Sequence, residues 1–126
     1  MKIKSVWNIN LILGVCWMLA AGCTKEIAPP KPIALEQAPS SLQEAFKGAN
    51  SDLKSLVDAA VGSLGTKDYT KALFALQTLS ARSDLTPQQR DLTTRSTLAV
   101  NQALADQANS GDQQAQQVLQ FQRSNK

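Results

Sequence analysis

Four of the five prolines fall between Pro29 and Pro39, and the fifth, Pro87, stands alone. Proline fixes φ, lacks an amide hydrogen and disfavours helix in the residue before it. The distribution therefore sets a short segment that resists regular structure against a long remainder free to be helical. The stretch from Thr24 to Ser40 reads as an extended, polyproline-like stalk or, equally, as a plain disordered linker. Fully extended, its roughly 16 residues at about 3.1 Å each would reach about 50 Å. Pro29-Pro30-Lys31-Pro32 could also serve as a docking motif for an aromatic-lined groove.

From residue 41 the pattern becomes helical. Apolar residues recur three or four apart at Leu42, Phe46, Ala49, Leu53, Leu56, Ala60 and Leu64, the spacing of one helix face. Ser41 and Glu44 have capping-box spacing, so a first helix is expected over 41–64, weakened at Gly48 and Gly62. Gly65-Thr66-Lys67 makes a short turn, and Asp68 caps a second helix with Tyr69, Ala72, Leu73, Leu76 and Leu79 inward. A turn this short forces antiparallel neighbours. Thr86-Pro87-Gln88-Gln89 combines an N-cap Thr, Pro at the first helical position and Gln at the third. It opens a third helix, to about 108, whose inner face is Leu92, Ala99 and Ala103. Thr93, Thr94, Ser96 and Thr97 fall to its wet side or line a polar groove. Ser110-Gly111-Asp112 breaks the chain again, and Ala115, Val118, Leu119 and Gln122 stripe a short last helix. The expected fold is all-α, with three to four antiparallel helices in a small domain over residues 41–126.

The first 22 residues have the order that secretion requires: Lys2 and Lys4, an apolar run from Leu11 to Ala21, then small residues. The run is about 11 residues, too short to span a bilayer, which wants about 20. Leu19-Ala20-Ala21-Gly22-Cys23 resembles the lipobox of bacterial lipoproteins. The resemblance implies cleavage between Gly22 and Cys23 and removal of residues 1–22. It also implies a diacylglyceryl group and an N-acyl chain, such as palmitate, on Cys23. Residues 23–40 then become a lipid-anchored linker, and the protein is held on the cell membrane or the outer membrane, facing the periplasm or the exterior. Thr24 after the cysteine resembles the family's default for onward transport to the outer membrane. Two or three acyl chains, at about 0.8 kcal/mol per buried methylene, hold a small protein essentially permanently.

Ala60, Ala72 and Leu76 recur at a constant offset of 43 residues as Ala103, Ala115 and Leu119. With Tyr69 before Ala72, the first set resembles the tetratricopeptide repeat, which places small residues where its two helices cross. An unrelated antiparallel bundle would demand the same alanines, and the sequence leaves both open.

The chemistry is sparse. There is no His, which excludes imidazole-based catalysis and His-ligated metal. The two cysteines, Cys16 and Cys23, lie near the N-terminus, so no metal cage is expected. No phosphate loop or clustered carboxylates appear, and no enzyme or cofactor is expected. Without Lys2 and Lys4 the 13 basic residues fall to 11 against 10 acidic ones, and Asp84 and Asp91 interrupt the Arg82, Arg90, Arg95 cluster. Nucleic acid is not an expected partner. What remains is an interaction module for an envelope protein, with Tyr69 and Phe74 as candidate contacts. The competing class is a spacer lipoprotein without a peptide groove. A module shows a concave apolar patch, whereas a spacer is polar all round.

Overall fold

The computed structural model describes residues 28–125. The expected signal peptide, the expected cleavage between Gly22 and Cys23 and the expected lipidation of Cys23 all fall outside these residues. The described chain is all-α: α1 (Ala38–Ala45), α2 (Ser51–Gly65), α3 (Tyr69–Ser80), α4 (Pro87–Asn109) and α5 (Gln113–Ser124).

The single helix expected over 41–64 is two. Asn50 leaves helical geometry and its side chain accepts the Leu53 amide at 2.9 Å, so an N-cap restarts the chain after the Phe46 to Ala49 turn. The expected Ser41–Glu44 capping box does not form, because α1 begins earlier, at Ala38. Pro39 sits in its first turn, where a missing N–H costs nothing. Ser41 is already inside, its amide donating to the Gln37 carbonyl at 3.0 Å. Ala38 is fully buried, and Ile33 and Leu35 pack against the core. The proline-rich segment therefore joins the fold before residue 41.

Helices α1 and α3 each pack on both α2 and α4, closing a ring of four. Leu42, Phe46, Leu76, Leu79, Val100 and Leu104 fill its centre. Helix α5 lies outside the ring, packed on α4, and Ala115 is its one fully buried residue. The α4 start forms as its sequence predicts: Thr86 accepts the Gln89 amide at 3.2 Å, and the Gln89 side chain accepts the Thr86 amide at 3.0 Å.

The inner face of α4 differs from the expected one. Its buried residues are Gln89, Thr93, Ser96, Ala99, Val100 and Leu104, while Leu92 and Ala103 are half-buried. Thr93 and Ser96, placed by their polarity on the wet side or in a polar groove, are wholly inside. The small hydroxyl side chains let a long, weakly apolar helix lie close to its neighbours. Thr93 satisfies itself by donating to the Gln89 carbonyl at 2.7 Å. Gln89 donates across to the Ala45 carbonyl of α1 at 3.1 Å.

The two hairpin turns are alike in backbone. Lys67 donates to Leu64 and Asp68 to Ser63; Gly111 donates to Ala108 and Asp112 to Gln107. Both are Schellman closures with a left-handed residue, Lys67 at φ 58° and Gly111 at φ 98°. In each, the following aspartate caps the next helix, accepting from Lys71 or Ala115. The turns are one residue further apart in sequence than the Ala72–Ala115 pair, so α5 is rotated by one residue relative to its turn.

The left-handed positions give opposite mutational signs. A lysine there carries about 1–2 kcal/mol of strain, and glycine gives back about 0.5–1 kcal/mol through its freer unfolded chain. Lys67→Gly is expected to raise stability by about 0.5 kcal/mol. An added Cβ on Gly111 meets nothing within 4 Å, so Gly111→Ala costs backbone strain alone, about 1 kcal/mol. Urea denaturation checks both; a stabilising Gly111→Ala would refute the strain argument.

Candidate interaction groove

Two phenylalanines stay exposed although each has an apolar interior within reach: Phe74 of α3 is 52% accessible and Phe121 of α5 is 63% accessible. Inward positions of α3 are taken by Ala72, Leu73, Leu76 and Leu79. Phe74 therefore points off the flank of α3. On α5 the inward stripe is Ala115, Val118 and Leu119, and Phe121 falls to its side.

The two flanks converge. Because α3 and α5 both pack on α4, an open cleft of about 340 Å³ lies between them, lined by Leu73, Phe74, Gln77, Asn101, Val118, Phe121, Gln122 and Asn125. Gln122 Nε2 donates to Asn101 Oδ1 at 3.3 Å, linking wall to floor. None of the lining residues is charged. Its chemistry is two aromatic faces and four side-chain amides, each amide able both to donate and to accept.

Tyr69 and Phe74 do not share a site. Tyr69 is half-buried at the start of α3, where it lines a separate cleft with Leu35, Lys67, Ala103 and Asp106. It also packs against the core. Phe74 instead lines the α3–α5 cleft together with Phe121. The sequence reading missed Phe121 because nothing local distinguishes it from a core aromatic; only the placement of α5 beside α3 does.

The ion pairs involve none of the groove's lining residues. Arg82 donates from Nε to Asp84 Oδ1 at 3.0 Å and from Nη2 to Oδ2 at 3.1 Å. Asn50 Nδ2 donates to Oδ2 at 3.3 Å, tying the α3–α4 loop to the cap of α2. The Arg82 hydrogen bond, aided by Asn50, holds the Asp84 carboxyl below the usual carboxylate range, and that same bond raises the Arg82 guanidinium. The Asp68 carboxyl is lowered by the Lys71 amide and then by the Lys71 ammonium, 3.0 Å away. Asp91 and Arg95 form a longer pair at 3.7 Å. All are exposed surface interactions, and such pairs add little to stability. Among the described residues no three His, Cys, Asp or Glu side chains are grouped to hold a metal ion, and no helix is long and apolar enough to cross a membrane.

No family model, no curated protein and no solved structure matches the chain.

Proposed function

We propose that the protein is a lipid-anchored envelope lipoprotein whose helical domain holds an uncharged protein segment in the α3–α5 groove. The observation that carries this reading is the pair Phe74 and Phe121, exposed on facing walls of one cleft. Exposed aromatics gathered in a concavity are the mark of a recognition surface rather than of a spacer. The neutral lining selects the occupant. A charged side chain entering it would lose water without gaining a counter-ion, whereas a peptide backbone offers alternating donors and acceptors to the four amides. Apolar side chains of the partner would meet the phenyl rings. Kinship with tetratricopeptide repeats belongs to the same reading, supported by two helical hairpins closed by one type of turn. Membrane attachment rests on the Leu19 to Cys23 motif.

Two measurements test the halves of this proposal. Cys23→Ala is expected to move the protein from the membrane fraction to the soluble one; unchanged retention would sink the anchor. For the groove, a photo-crosslinking residue at Gln77 in intact envelopes is expected to capture one recurrent protein, and Phe121→Asp to reduce that capture at least tenfold. The same residue at Asp58, on α2, is the control. Identical products from both positions, insensitive to Phe121→Asp, would instead favour the spacer.

A further inference from the structure

The proline-rich segment does not leave the domain freely. Arg95 Nε donates to the Lys31 carbonyl at 3.1 Å, and the Ile33 amide donates back to the Arg95 carbonyl at 3.4 Å. The chain thus crosses α4 under a reciprocal pair of bonds centred on one arginine. Ile33 lines a cleft with Leu92 and Arg95, Leu35 lies beside Tyr69 and Ala103, and both are half-buried against the core. The backbone then turns, with Gln37 donating to Ala34 at 2.9 Å, and enters α1.

We propose that residues 31–36 are a strap that gives the membrane tether two lengths. The inference rests on the anchor at Cys23. With the strap closed, the first docked position, Lys31, lies eight steps along the chain from Cys23, a reach of about 25 Å at polyproline rise. With it open, the free chain extends to Gln37, the N-cap of α1, and reaches about 45 Å. The contacts suit a release that leaves the domain intact. The two hydrogen bonds are at the surface, the two apolar side chains are only half-covered, and the four-helix ring is closed by α1 to α4 without them. The prolines at 29, 30 and 32 keep the released chain from collapsing into helix. A partner seated in the groove some 20 Å beyond the closed reach could then be held without unfolding any helix.

Two arms test this separately from the anchor. In the Cys23→Ser protein, which carries no lipid, the Ile33 amide is expected to exchange with solvent at least tenfold more slowly than in an Arg95→Ala, Leu35→Asp double variant, with the helical melting curve retained. Equal exchange in the two overturns the strap. In lipidated protein on vesicles, a donor dye on Gln120→Cys and acceptor dyes on the headgroups are expected to show energy transfer that falls when the strap is opened by the same pair of substitutions. Unchanged transfer overturns the two-length tether. If the lipidated preparation fails to float with the vesicles, the anchor reading has failed, and the exchange arm still decides the strap.

Discussion

Replacing Phe46 with alanine is expected to cost about 3–5 kcal/mol, the loss typical of a buried aromatic. Phe46 is the largest side chain wholly buried among the described residues, and it stands at the end of α1, where its amide closes the helix onto Leu42 and Glu44. Beside it lies Val57 of α2. Truncation opens a void at the place where the first two helices are held together, and the short α1 has little else to retain it. A domain of this size is stable by about 5–15 kcal/mol in all, so a large share of the folded state is at stake. Urea denaturation should show the midpoint falling by about 2 M or more. A loss below about 1 kcal/mol would mean that α1 packs loosely and that the ring of four is in effect three helices.

Ser96→Ala is expected to have the opposite sign and raise stability by about 1–3 kcal/mol. The Ser96 side chain is fully buried, and its hydroxyl is the one buried side-chain polar atom without a hydrogen-bond partner among the described residues. Removing an oxygen that gave up water and gained nothing refunds its desolvation, and alanine leaves the packing volume nearly unchanged. Thr93, one turn earlier, is the internal control. Its hydroxyl donates to Gln89, so Thr93→Val should cost up to about 1 kcal/mol. Thermal melts of both variants decide the matter; a destabilised Ser96→Ala would mean that the hydroxyl bonds within the native protein.

What could be read from the sequence follows from where the information is local. Thr86, Pro87 and Gln89 satisfy each other within one turn, so the start of α4 is visible without tertiary structure. The same holds for Asp68 before α3. The α1–α2 break was not visible because Phe46, Ala49 and Leu53 keep helical spacing straight through it. Periodicity reports which residues face the core, and a turn that preserves the facing leaves no trace in it; Asn50 three residues before Leu53 was the available signal. Pro39 misled for a related reason, since a proline marks either the end of helical conformation or its first turn. The inner face of α4 was hidden by composition: Thr93 and Ser96 are polar by type and buried by position, and hydropathy ranks Leu92 and Ala103 above them. Half of the groove was legible in Phe74, whereas its partner across the cleft depends on how two hairpins sit on one helix.

The groove also has unequal walls. On α3 four residues are sunk into the interior, on α5 one, and the remaining hold on α5 comes from half-buried Val118 and Leu119 and from Gln116 and Gln122 reaching to α4. The flank carrying Phe121 therefore belongs to the helix, among the described ones, with the weakest hold on the interior. An occupant between the phenylalanines would supply α5 with the burial that the interior already gives α3, so that filling the groove and ordering this helix become a single equilibrium. Affinity would then be lowered by whatever fraction of the time α5 stands open, and a substitution that docks α5 more firmly would tighten binding without touching the occupant.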